Sequence, residues 1–362
     1  MAPVCHAQPV VHLDIDTSVY ASDNPFLLSG GDTGAMAFDI AARPGLNWQV
    51  AHATTLDVES TARFRQYHRR YGNFMTGRIA TTVRHRDSEY LSARGGIGFA
   101  RELPLDGIAD SSDGAIDPRT LRNIWSADAA LDWRPNAITL IQGTLNAQRT
   151  QFSDRSILLP TNGYNAALSL SRNLNARFAV GGRAALAISD ARGFETLSAK
   201  TLQLTGTYRA NETLRATVMA GIEWADGRLP DGTPRPSSPR FSGSAMLCEE
   251  RRRLTGCITT SMRSEFSNLT GLQREFVGGL TARVQLAEYQ HLRLRADYRK
   301  VRSETAFGSV SLLQISAVYD RQLSRRLMLS GGVNYLRRDR PDLGQLGAAV
   351  VHATLTFTGG RR

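Results

Sequence analysis

Lysine is nearly missing from this 362-residue chain: Lys200 and Lys300 are the only two among 44 cationic side chains. The positive charge is therefore almost all guanidinium, which stays protonated and forks onto carboxylates or phosphates. A GC-rich coding sequence would give the same bias without any chemical need. Cysteine is scarce, with three residues, which excludes a disulfide-knotted scaffold. Glycine and proline, 32 and 13, are too few for a collagen-like chain, and 41% apolar content is too high for wholesale disorder. No run of eighteen apolar residues occurs, so there is no transmembrane helix to expect. Membrane strands are not excluded, because they alternate apolar with polar residues, and the mean hydropathy of −0.27 fits such alternation.

Enzymatic signatures are missing as well. There is no G-x-S-x-G, P-loop or H-E-x-x-H, and Gly95-Gly96-Ile97-Gly98 falls inside a strand pattern rather than opening a helix. The seven histidines are scattered, and His52 and His291 at turns read as solvated. The expectation is a protein without catalysis, cofactor or metal. The net charge, 44 − 33 = +11, invites a nucleic-acid partner. The cations are spread along the whole chain, however, and lie on the strand faces opposite the aromatics, so no nucleic-acid surface is expected.

What the sequence has throughout is a period of two. Leu214, Ala216, Val218, Ala220, Ile222 and Trp224 form one row against Arg215, Thr217, Gly221 and Glu223. Phe178 to Ile188 and Val351 to Phe357 repeat the pattern. Such rows are longer than the roughly 5–6 residues of an ordinary soluble strand and match a tilted bilayer crossing. Tight polar turns fall near His52, Asp87, Asn136, Asn173, Asn211, Glu250, Glu288 and Ser324, recurring every 36 to 39 residues from Asn136 onward. Longer polar segments alternate with them: Asp23–Gly34, Tyr67–Asn73, Glu102–Arg119, Ser153–Asn162, Asp190–Glu195, Asp226–Pro239, Ser267–Thr270, Arg302–Ala306 and Arg337–Gln345. Eight turns and nine loops give a single antiparallel up-and-down transmembrane β-barrel of 18 strands, with 16 as the fallback should one hairpin be miscounted. A propeller would need four short strands in each period, where only two long ones fit.

Trp48, Trp125, Trp133 and Trp224 all lie on the apolar rows, as do Phe38, Phe64, Phe99, Tyr208, Tyr298, Tyr335 and Phe357. Many sit near strand ends, the placement of an interfacial girdle. The opposite rows then face the interior. They carry Arg43, Arg63, Arg65, Arg78, Arg84, Arg177, Arg183, Arg215, Arg283, Arg293, Arg295 and Arg299, together with Arg94, Arg122 and Arg263. Asp14, Asp16, Asp39, Asp57, Glu59, Asp128, Asp132, Glu223, Glu265, Glu275 and Asp297 accompany them. A dry core could not hold so many ions. The positive surplus points to an anion path, and the plainer alternative is a lattice of salt bridges that stiffens a closed barrel.

Cys248 and Cys257 flank Glu249-Glu250-Arg251-Arg252, and a two-residue turn at Arg252-Arg253 would oppose them directly, both pointing inward. That makes them a disulfide candidate in an oxidising compartment. A pair of unlinked thiols is the other reading. Residues 1–7 read as the remnant of a secretory signal cleaved after Ala7, leaving 8–362 as the barrel domain.

Ser18-Val19-Tyr20-Ala21-Ser22-Asp23-Asn24-Pro25-Phe26-Leu27, the Asp-rich stretch after it and the strand leading to Pro44-Gly45-Leu46 resemble the start of the β-barrel porin 2 family of outer-membrane proteins. Units such as Leu170-Ser-Arg-Asn-Leu-Asn-Ala-Arg177 resemble its recurring hairpins. The resemblance implies a place in the outer membrane of a Gram-negative bacterium, contact with its lipid, and a link to exopolysaccharide export with periplasmic export components. The expected function is a porin-like channel or duct with an Arg-rich lumen for anionic solutes or exopolysaccharide. The alternative is a structural or surface-binding barrel with a closed lumen whose loops, chiefly Glu102–Arg119 and Asp226–Pro239, hold a partner. A barrel enzyme acting on lipid or polysaccharide is a third reading.

Overall fold

The computed structural model describes residues 8–103, 120–153, 160–191, 196–227, 238–267, 271–302 and 309–360. Residues 1–7, read above as a signal remnant, lie outside them, as do most of the Glu102–Arg119 and Asp226–Pro239 loops. Eighteen strands run in chain order: β1 Val10–Ser22, β2 Ala35–Ala51, β3 Thr54–Tyr67, β4 Asn73–Arg86, β5 Leu91–Glu102, β6 Arg122–Asn136, β7 Thr139–Phe152, β8 Thr161–Asn173 and β9 Phe178–Ala191. The second half continues with β10 Leu197–Arg209, β11 Leu214–Asp226, β12 Arg240–Arg251, β13 Leu254–Ser267, β14 Gly271–Ala287, β15 Gln290–Arg302, β16 Ser309–Gln322, β17 Leu327–Arg340 and β18 Gly344–Gly360.

Each strand pairs antiparallel with its sequence neighbours, and β1 closes on β18 from His12↔Gly360 to Ser22↔Val350. Eighteen strands therefore form a ring without an edge, and the fallback of 16 does not hold. The strands run from 12 residues in β5 to 17 in β2. All eight expected turns and nine expected loops lie between the strand pairs where the polar punctuation places them.

Local chemistry accounts for the turns. Asn136, Asn175 and Asn211 each sit at a hairpin tip, where the side-chain oxygen accepts two backbone N–H groups, for Asn211 those of Thr213 at 2.9 Å and Leu214 at 2.7 Å. Such Asx turns satisfy donors that a two-strand tip leaves over. The β2–β3 ladder skips Arg43 and Pro44, because proline has no N–H to give it. Next to that gap a Cβ at Gly45 would fall 2.1 Å from the His12 ring, so a larger residue there would displace that exposed side chain.

The period of two fixes the two faces. Trp125 is 52% exposed, Leu355 42% and Leu204 76%, all on the outer wall, although the chain has no aqueous reason to display them. An exposed apolar belt of this extent requires hydrocarbon as its solvent. A single-chain bacterial barrel of even strand number with such a belt is a protein of the Gram-negative outer membrane. Its short turns face the periplasm and its longer loops the exterior.

Candidate functional site: the lumen and its mouth

The site is the inner wall, and strand parity builds it. Arg43 on β2, Arg63 and Arg65 on β3, Arg78 and Arg84 on β4, Arg183 on β9, Arg215 on β11, Arg283 on β14, and Arg293, Arg295 and Arg299 on β15 all belong to the inward row. Arg177 differs. It sits at the exposed end of the turn between β8 and β9, where its N–H donates to Asn175 Oδ1 at 2.8 Å and its carbonyl accepts the Arg209 N–H at 2.7 Å.

The inward arginines divide into two groups. Seven are ion-paired. Arg43 meets Asp16 at 2.5 Å, and Arg63 and Arg65 share Asp39 at 3.6 and 3.1 Å. Arg84 faces Asp57 at 3.5 Å, Arg293 holds Asp320 at 2.6 Å, and Arg295 pairs with Asp297. Arg299 Nη1 donates to Glu275 at 2.5 Å, and Glu275 is fully buried. Burial of two such charges is tolerable because each neutralises the other. Cross-strand geometry matters here: Asp39 and Arg65 are direct partners in the β2–β3 ladder, so their side chains rise side by side.

Arg78, Arg183, Arg215 and Arg283 form the second group. No carboxylate among the described residues lies within ion-pair distance of any of them. Arg215 stands directly opposite Arg209, and Arg283 directly opposite Arg293. Arg84 and Arg94 oppose each other in the same way. Like charges facing one another destabilise a sheet, and the pairs persist because water reaches them. Arg84 is 62% and Arg94 53% exposed although both point into the barrel. The interior is therefore wet and carries spare positive charge.

At the periplasmic end of the wall Cys248 and Cys257 are direct partners in the β12–β13 ladder, and a two-residue turn joins their strands. They form a disulfide with a Cα–Cα distance of 4.1 Å, on the inward row shared with Arg215 and Thr281. Among the described residues no group of three His, Cys, Asp or Glu is arranged to hold a metal.

Sequence reasoning missed the mouth. The β1–β2 loop, read only as a polar connection, folds inward. Phe26 and Leu27 are both 0% exposed. Phe26 packs on Ala37, Tyr67, Phe74 and Leu103, with its ring centroid 5.3 Å from Tyr67 and 4.8 Å from Tyr71. Leu27 packs the other way, on Leu312, Leu336 and Ala348. These platforms interrupt the inward rows of β2, β3 and β16 to β18 with apolar residues near the loop end. The loop spans them because Asn24 braces it: Nδ2 donates to the Leu28 carbonyl and Oδ1 accepts the Leu28 N–H, both at 2.9 Å. Leu27 holds φ +50, a conformation that costs a non-glycine residue about 1 kcal/mol and is sustained by its burial. Tyr71 donates to the Thr33 carbonyl at 2.8 Å, and Arg70 pairs with Asp32, fastening the far half to the β3–β4 loop. A signal was present: three large apolar residues, Phe26-Leu27-Leu28, inside an otherwise polar loop.

No known family's sequence profile matches the chain, and no curated protein matches it. Solved structures do match its fold. OccK2 (OpdF) of Pseudomonas aeruginosa, crystallised in complex with glucuronate, superposes with TM-score 0.53 at 10% identity over 99% of this chain and 100% of that one. Pseudomonas aeruginosa OpdL gives 0.52 at 9% identity, covering 98% and 99%. A BenF-like porin from Pseudomonas fluorescens gives 0.51 at 8% identity over the same shares. At such identities the likeness is one of fold: an 18-strand barrel of the kind porins use.

Proposed function

We propose that this barrel is a diffusion channel of the outer membrane that favours small anionic solutes. The observation that carries the reading is the set of four inward arginines, Arg78, Arg183, Arg215 and Arg283, without a carboxylate partner among the described residues. Fixed positive charges on a wet wall concentrate anions and repel cations. The fold likeness adds support, since OccK2 was crystallised with glucuronate, a carboxylate. The seven paired arginines serve the alternative role weighed from the sequence, a lattice that stiffens the wall, and the two roles coexist in one lumen. Passage of exopolysaccharide, membership of the β-barrel porin 2 family and a periplasmic export partner rest on the sequence resemblance alone, and no feature of the wall favours them.

Reconstitution into planar bilayers under a KCl gradient tests the proposal. The expected result is a reversal potential of the sign given by chloride preference, lost when Arg78, Arg183, Arg215 and Arg283 are together changed to Gln. An absence of conductance, or a cation preference in the unaltered protein, rejects it.

A further inference from the structure

Arg274 of β14 and Arg302 of β15 are direct ladder partners, and they stand on the outward row. Two residues along that row Phe276 faces Lys300. Three cations thus share one patch of outer wall at the loop end of two neighbouring strands, Arg302 being the last residue of β15. Among the described residues their surroundings supply no anion. Arg274 Nη2 donates to the Phe241 carbonyl at 3.3 Å and lies 2.9 Å from Met262 Sδ, both neutral. No carboxylate among the described residues pairs with Arg274, Lys300 or Arg302. Elsewhere on the same rim Lys200 holds Asp226 at 3.0 Å, while the outward Arg101 of β5 stands alone, without a second cation opposite it.

The opposed arginines of the lumen look onto water, which screens them. Arg274 and Arg302 look onto the membrane. The rings of Phe276 and Tyr298, 6.2 Å apart on the adjoining rows, mark the interfacial level there. A guanidinium facing acyl chains is costly, and that cost falls towards zero at the interface. Two of them opposed, with an ammonium beside them, still repel one another unless an anion lies between. The outer leaflet that meets this end of a Gram-negative barrel consists largely of phosphorylated glycolipid, and a phosphate monoester fits a planar guanidinium fork in bidentate fashion.

We propose that Arg274, Arg302 and Lys300 form a binding site for a phosphate group of an outer-leaflet phosphorylated glycolipid. The site depends on the barrel's place in the outer membrane and not on what passes its lumen. Intact protein in neutral detergent would be titrated with a bisphosphorylated acylated diglucosamine, and bound lipid counted by native mass spectrometry. The dephosphorylated diglucosamine with the same acyl chains and phosphatidylglycerol are the comparison ligands. The bisphosphorylated lipid should bind preferentially, and the R274Q/R302Q variant should weaken it roughly tenfold or more. R172Q/R321Q, which removes outward arginines at the periplasmic end, should leave the affinity unchanged, and single-channel conductance should be the same in both variants. Should R274Q/R302Q fail to fold, K300Q and the salt dependence of binding to the unaltered protein carry the test. Equal binding of the dephosphorylated lipid or of phosphatidylglycerol, equal weakening in R172Q/R321Q, or affinity indifferent to both K300Q and salt overturns the proposal.

Discussion

Arg338 Nη2 donates to the Leu27 carbonyl at 2.9 Å, so a strand near the end of the chain holds a loop near its beginning. The contact spans from β17 to the β1–β2 loop and is buried at both ends. Asp23 reinforces it, its Oδ1 accepting the Ala349 N–H at 2.8 Å. The loop is thereby part of the inner wall at the mouth.

Phe26→Ala and Leu27→Ala should each loosen this loop. Truncating a fully buried large apolar side chain costs about 2–5 kcal/mol. The cost should appear locally, as protease cleavage within Asp23–Gly34 that the unaltered protein resists, and as larger current fluctuations in single-channel recordings.

Glu275 and Arg299 lie side by side in the wall with almost no exposure. Removing Arg299 takes the guanidinium counter-ion from a buried carboxylate, so Arg299→Ala should destabilise the barrel by about 3–5 kcal/mol. Replacing both with Gln and Met should cost less than Arg299→Ala alone. Denaturant titration of the detergent-refolded barrel reads the difference.

Asp39 lies within ion-pair distance of both Arg63 and Arg65. Asp39→Asn should remove one negative charge from the inner wall and move the reversal potential further towards that of chloride. An unchanged or opposite shift would separate β3 from the conduction path.

The Cys248–Cys257 bridge closes a short hairpin, nine residues apart in sequence. Its reduction should lower stability by about 2–3 kcal/mol through the entropy of the denatured chain. Because the bridge lies on the inward row, a water-soluble reductant should reach it in the folded barrel, as thiol labelling would register.

Outside the membrane, in the β17–β18 connection, the Arg340 side chain hydrogen-bonds Asp342 and holds its carboxyl below the usual carboxylate range. A lowered carboxyl contributes its stability above the unfolded value near 3.8 and loses it as pH falls through the lower folded one. An NMR titration should place the Asp342 midpoint below 3.8, and exchange of the neighbouring amides should quicken only in more acidic solution.

Most of the wall was legible because a membrane barrel writes itself in a period of two. Leu204, Trp125 and Leu355 could face only lipid once their neighbours were polar, and Asn136 and Asn211 marked turns through their own side-chain chemistry. Parity failed where the rule that the inside is polar breaks. Leu312, Leu336 and Tyr67 are apolar yet inward, because a folded-in loop covers them, and nothing in the spacing names what lies above a strand. Arg274, Lys300 and Arg302 break the complementary rule, polar yet outward, at a height where the bilayer is no longer oily. Arg177 lies one residue before β9, in the turn shaped by Asn175, where its carbonyl accepts the Arg209 N–H at 2.7 Å and continues the β9–β10 ladder.

The ladder from His12↔Gly360 to Ser22↔Val350 joins the first strand of the barrel to the eighteenth. Such a hoop cannot be sealed until its final stave arrives, and every partial chain presents two raw borders able to zip onto a stranger. An unfinished polypeptide of this design must therefore be escorted through water and delivered whole.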